Sequence, residues 1–172
     1  MGLLDVFLNS PALLRVRRNH GLEHATINVL TEQFPNLHLA GHSDMAGFWI
    51  IGNVSTESLA DAVEQALNRL QSGERDLAIH PNCGTNFVTA GAAAGLAAWL
   101  VMLPGGRGLR NKIERLPMVV MLATLAIMIA QPFGPLLQAR VTTSGEPGNL
   151  QVTQISAGQQ GRLQAYRVIT QG

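Results

Sequence analysis

The chain has 172 residues, enough for one ordinary domain or for a small domain with a membrane anchor. A formal net charge of +1 argues against a nucleic-acid binder, which would carry a strongly basic surface. Only 13% of residues are charged and mean hydropathy is +0.17, a composition that leans towards a membrane protein. The single cysteine cannot form an internal disulfide, so no oxidising compartment is implied.

Residues 1–18 read as an amphipathic start. Leu3, Leu4, Phe7 and Leu8 follow helical spacing, and Ser10-Pro11 marks a fresh helix start, with Ser as cap and Pro at the first position. Arg15, Arg17 and Arg18 after Leu13 and Leu14 suit a helix lying at a membrane surface, its arginines among headgroups. The stretch does not read as a secretory signal, because Asp5, Asn9 and Pro11 interrupt it and its basic residues follow the apolar ones.

The helix continues through residues 19–34 and ends at Phe34-Pro35. Gly21 weakens it unless another backbone approaches closely there. Residues 36–54 read as a β-hairpin with its turn in Gly41–Gly47. Ser55 caps a helix running to about Ser72, with Leu59, Val63, Ala66, Leu67 and Leu70 as its buried stripe. Leu77–Ile79 reads as a short strand leading into His80.

No charged residue stands between Pro81 and Gly106, and none between Leu116 and Ala139. A bilayer core needs about 20 apolar residues in helix, so both stretches are expected to be transmembrane helices joined by Pro104–Arg115. Gly91, Ala94, Gly95 and Ala98 would allow close helix contact, within the chain or across a homodimer. Pro132, Gly134 and Pro135 should break the second helix near its end. In the polar tail, Leu150–Ile155 and Ala165–Ile169 alternate like a second hairpin, with its turn in Ser156–Gly161. The expected fold class is α+β: a small helix/β-hairpin domain interrupted by a two-helix transmembrane hairpin. Its parts are an N-terminal segment 1–18, a metal-binding part 19–84, a membrane hairpin 85–139 and a tail 140–172 that packs back on the α+β part.

Two short runs carry the chemistry. His20-Gly21-Leu22-Glu23-His24 puts two imidazoles four apart on one helix face, with Glu23 beside them. His80-Pro81-Asn82-Cys83 adds an imidazole and a thiol three apart. His and Cys donors together favour zinc. The expected metal ligands are His20, His24, His80 and Cys83, and Glu23 is the expected general base. Four protein ligands would make a closed structural site; three and a water would make an open one. Asn19, Asn82 and Asn86 are candidates to hydrogen-bond the ligands. His38, His42 and Asp44 read as surface or turn residues.

The motif His20-Gly21-Leu22-Glu23-His24 resembles the inverted zinc-protease motif of pitrilysin and the insulin-degrading enzymes. That resemblance implies two zinc-binding histidines and a glutamate base, and it is confined to the motif. More of the chain resembles bacterial membrane proteins of unknown function. These carry H-G-x-E-H, then H-P-x-C-G-T-x-F opening a hydrophobic helix, here His80–Phe87. Thr142-Thr143, Pro147 and Leu150-Gln151-Val152 extend that likeness.

The leading expectation is a membrane-bound zinc-dependent hydrolase, a peptidase working at the bilayer surface on a peptide or membrane-protein substrate. The rival is a non-enzymatic membrane subunit or assembly factor with a structural metal. Orientation signals conflict. Arg107, Arg110, Lys112 and Arg115 pull the inter-helix loop to the cytoplasm, while Arg15, Arg17 and Arg18 pull the soluble part there. A cytoplasmic soluble domain is the expectation taken.

Overall fold

A computed structural model describes residues 2–103, 108–160 and 163–172. The chain is a mixed helix-and-sheet protein with two long apolar helices, and it divides into two compact units. The first holds Met1–His80 and Ala139–Gly172; the second is the continuous insertion Pro81–Gln138.

The first unit is organised on one helix. A short α1 (Leu3–Leu8) leads into α2 (Pro11–Gln33), which starts as expected with Ser10 outside and Pro11 at its first position. The side chains of Leu3 and Leu4 lie outside the described residues. Every residue from Gly21 to Ile27 is buried, so the middle of α2 is enclosed on all sides instead of showing one face to water. Strands β1 (Ala40–Asp44), β2 (Gly47–Ile51), β3 (Gln151–Gln160) and β4 (Leu163–Gln171) form an antiparallel sheet in the order β1-β2-β4-β3. The tail is thus an integral part of the sheet: Trp49 pairs with Arg167 and Ile50 with Tyr166. Helix α3 (Thr56–Gln71) is capped by Ser55, whose side chain accepts from the Ser58 amide at 3.0 Å. Its stripe of Leu59, Ala62, Val63, Ala66 and Leu70 packs with Leu22, Val29 and Leu30 of α2 and with Phe48, Ile50 and Val168 of the sheet.

Several expectations about this unit are corrected. The first hairpin's outer strand starts at Ala40, not near Leu37. Asp44 Oδ1 accepts from the Ala46 amide at 2.8 Å and locks the turn at Met45-Ala46. Register counted back from that turn leaves Leu37 and Leu39 to pack on the core from a loop. Leu77–Ile79 is not a strand: Arg75–Ala78 forms a 3₁₀ turn with no sheet neighbour. Strand β3 runs on to Gln160, past the expected turn, whose last residue Gly161 lies outside the described residues.

Arg15 and Arg17 of α2 are taken up within the protein by backbone carbonyls. Arg15 donates to the carbonyls of Met45, Thr170 and Gly172 at 2.8, 2.6 and 2.6 Å. Arg17 donates to those of Leu8, Arg140 and Thr143 at 3.2, 3.0 and 3.0 Å. Both cross-link chain segments distant in sequence.

The second unit comprises α4 (Gly84–Met102), α5 (Leu109–Ala130) and a short α6 (Phe133–Leu137). Helices α4 and α5 pack on each other, and α6 packs on α4. Helix α5 begins earlier than its uncharged stretch, because its first turns carry Arg110, Lys112, Glu114 and Arg115 on an exposed surface. It ends at Ala130, just before Pro132. Arg107 and Pro104 lie outside the described residues. Only 6% of the most apolar window of either helix is buried inside the protein. A soluble core hairpin would be mostly buried, so these helices have the length, composition and bare apolar surface of membrane spans.

Two predictions follow from the packing. A Cβ at Gly21 would stand 3.0 Å from the Ser144 carbonyl carbon, and a backbone neighbour yields little. Helix propensity alone makes Gly21→Ala stabilising by about 1 kcal/mol. We expect the opposite sign, a loss of about 1–3 kcal/mol in chemical denaturation, because the change overpacks the contact. Asp44 tests electrostatics. Its hydrogen bond from Arg167 holds its pKa below the usual 3.8, with burial opposing. A carboxylate lowered in the folded state contributes stability that is present above the unfolded value and lost as pH falls through the folded one. In pH-dependent unfolding, the wild type should lose this contribution below about pH 4, and Asp44→Asn should lack that step. The pair is half-exposed, so its worth at neutral pH is under about 1 kcal/mol.

Candidate metal centre

His20, His24 and Asn28 stand four apart on α2 and so form one row on one face. His24 is buried and the other two are partly buried between neighbouring segments, and each finds a backbone carbonyl as its polar partner. His20 Nδ1 lies 2.9 Å from the Thr142 oxygen and His24 Nδ1 lies 2.8 Å from the Ala78 oxygen. A carbonyl only accepts, so Nδ1 carries the proton in each neutral ring and the lone pair sits on Nε2. This is the tautomer of a histidine that ligates a metal through Nε2, oriented by a carbonyl behind it.

The carbonyls are themselves held in place. Asn28 donates through Nδ2 to the oxygens of Leu77 and Ile79, at 2.9 and 3.0 Å, and so pins the 3₁₀ turn whose Ala78 carbonyl meets His24. On the other side, the Ser144 amide donates to the Arg17 oxygen at 2.9 Å over Gly21, and that seats Thr142 beside His20. The rings of His20 and His24 are 4.3 Å apart between centroids, nearly edge-on at 61°. The His80 ring is 5.7 Å from that of His24. Three imidazoles from α2 and the end of the 3₁₀ segment therefore gather within the first unit.

Glu23 follows on the same helix, 4% exposed, and its carboxylate accepts a hydrogen bond from the Ser43 hydroxyl. Strand β1 runs directly over it. A Cβ at Gly41 would come within 2.6 Å of Glu23 Cδ, so only glycine lets the strand pass so close. Cys83 belongs to the second unit, where it precedes α4 with its sulfur 3.5 Å from the Thr85 hydroxyl.

The asparagines chosen from sequence do other work. Asn19 is fully buried, donates to the Asp44 carbonyl at 2.8 Å and accepts from the Thr170 hydroxyl at 2.7 Å, tying α2 to two strands. Within the second unit, Asn86 donates to the Pro81 carbonyl at 2.7 Å and accepts from Gln138 at 2.6 Å, linking the insertion's two ends. Asn82 is exposed. His38 and His42 are exposed, and Asp44 pairs with Arg167 at 2.7 Å. Asn28 and Ser43 were missed from sequence. Asn28 carries one signal that would have found it: it extends the His20–His24 row by one more step of four.

The fold and this site define a small α+β domain that carries a buried histidine row and is interrupted by two apolar helices. The chain belongs to the family described as "Domain of unknown function (DUF6391)", which matches residues 15–155. An uncharacterized protein of Picosynechococcus sp. is 40% identical over 166 residues, covering 88% of this chain and 77% of that protein. No solved structure matches.

Asn28→Ala removes both donors that hold the 3₁₀ turn. The expected result is a loss of about 1–3 kcal/mol of stability in chemical denaturation. In heteronuclear NMR, the His24 Nδ1 proton should exchange faster than in the wild type.

Proposed function

We propose that the chain is a membrane-bound zinc-dependent hydrolase, a peptidase acting at the membrane surface. The observation that supports this reading best is the pair of carbonyl bonds on His20 and His24, which puts both lone pairs on Nε2 in one helix row. His80 is the third proposed ligand. Cys83, three residues further on, is the fourth by its spacing, since so short a tether holds the two Cα atoms within about 10 Å. Bound zinc would supply a polarised water and a Lewis acid for a carbonyl oxygen. Glu23 is the proposed base, and the likeness of its motif to inverted zinc proteases supports that role. Strand β1 is an edge strand beside Glu23, where an extended peptide could add by backbone hydrogen bonds.

A second reading is a non-enzymatic membrane subunit or assembly factor with a structural metal. It is favoured by the tight cover over Glu23, where Ser43 donates to the carboxylate and Gly41 crosses it. The proposed setting is multi-pass in the cell membrane with the first unit in the cytoplasm, where a lone thiol ligand stays reduced. Gly91 and Gly95 have nothing within 4 Å of where a Cβ would stand, which supports a homodimer through this face of α4.

Metal content and hydrolysis of a casein-like substrate decide between the readings. The expected outcome is one zinc per wild-type chain and a loss of zinc in His24→Ala. Glu23→Gln should keep its zinc and lose hydrolysis by about 10²–10⁴-fold. Zinc with no hydrolysis in the wild type would leave the structural reading; a wild type that binds no metal would overturn both.

A further inference from the structure

Beside α2, one turn before the histidine row, lies a cavity of about 370 Å³ within the first unit. Arg17, Arg18 and Arg75 line it together with Asp76, Ser144 and Glu146. Arg17 is nine-tenths buried. Its terminal nitrogens are spent on three carbonyls, but its Nε and that of Arg18 are buried with no hydrogen-bond partner. Neither arginine forms an ion pair among the described residues. Of the two carboxylates, Glu146 is taken up by Arg75 at 2.6 Å, in an exposed pair worth little and easily exchanged. The cavity is therefore lined by one more positive than negative side chain, and two of its arginines each keep a buried Nε–H without an acceptor.

Burying a cation without a counter-charge is costly, and an orphaned N–H adds to that cost. Burial pulls the Arg17 pKa below its ordinary value, which expresses the same desolvation. Guanidinium groups match the spread oxygens of a phosphate better than those of any small neutral ligand. Ile79 and Ala139, which also line the cavity, stand within two residues of the points where the chain passes to and from the apolar insertion. We propose that this cavity binds a phosphate group, carried by an anionic lipid headgroup or by a soluble phosphate, with Arg17, Arg18 and Arg75 as its donors. The inference is independent of the metal centre.

The test uses the full chain. In nonionic detergent it is titrated with inorganic phosphate, against sodium chloride at matched ionic strength, and the unfolding midpoint is followed. In parallel, zwitterionic nanodiscs are compared with discs containing phosphatidylglycerol. At least one phosphate source should raise the midpoint, with roughly tenfold weaker binding in Arg18→Gln. Arg110→Gln makes the same charge change on an exposed helix and should behave as wild type. Stabilisation by phosphatidylglycerol alone identifies a headgroup; stabilisation by inorganic phosphate identifies a soluble anion. The proposal is overturned if neither source stabilises, or if Arg110→Gln loses as much as Arg18→Gln. Should Arg18→Gln fail to fold, Arg75→Gln, whose side chain is 68% exposed, carries the same comparison.

Discussion

A helix enclosed on all sides must hand every polar group it carries to a partner, and α2 meets that demand almost entirely with backbone carbonyls from elsewhere in the chain. Arg15 and Arg17 take six of them, and Asn28 takes two. The imidazoles of His20 and His24 meet one each. An unpaired buried carbonyl costs about 1–3 kcal/mol, so these bonds fix where the partner segments lie. The segments are the 3₁₀ turn before the apolar insertion, the stretch after it, and the free ends of β1 and β4. Local sequence would not hold any of them in place. The same bonds settle which imidazole nitrogen keeps its lone pair, so the packing requirement and the chemistry of the site are one constraint.

The insertion can leave and re-enter this scaffold because its two ends are joined to each other. Asn86 links the Pro81 carbonyl to the Gln138 amide, and Gln138 is fully buried although it sits among apolar helices. Gly134 lets the returning chain reach Asn86, since a Cβ there would lie 2.9 Å from its Cγ. A helix pair clasped at its base is a self-contained unit by covalent and polar logic. Its outer surface is not: Phe87, Trp99, Val120 and Met128 are each more than half exposed. Among the described residues little covers that surface, and at about 25 cal/mol per Å² leaving it in water would be expensive.

What was legible in the sequence was whatever periodicity or punctuation encodes locally. Ser10-Pro11 and Ser55 marked the starts of α2 and α3, and the uncharged stretches located the two apolar helices though not the ends of α5, because caps, proline and hydropathy act over one or two turns. The strand expected at Leu77–Ile79 failed because Asn28 claims the Leu77 and Ile79 carbonyls that a ladder would need. The carbonyl partners of Arg15 and Arg17 were hidden for a related reason. A basic run after leucines looks the same whether it meets headgroups or carbonyls, and only tertiary contacts separate the two. His20, His24 and His80 could be grouped from spacing. Ser43 and Gly41 could not, since their meeting with Glu23 depends on how β1 crosses α2.

Glu23 is where energetics says most about the site. A carboxylate that is 4% exposed is expensive unless something compensates its charge. Ser43 donates one hydrogen bond to it, and a glutamine could accept that same bond without the cost of a buried charge. Gly41 sharpens the point, because the strand is thinned to bare backbone where it passes the carboxylate. A divalent cation on the neighbouring imidazoles, bound as proposed, would favour that charge, since local ions are the largest charges in such sites and reverse the ordinary cost of a nearby anion. A glutamate beside such an ion gains what one in a wholly apolar setting loses, and that ties the energetics of this position to the proposed metal.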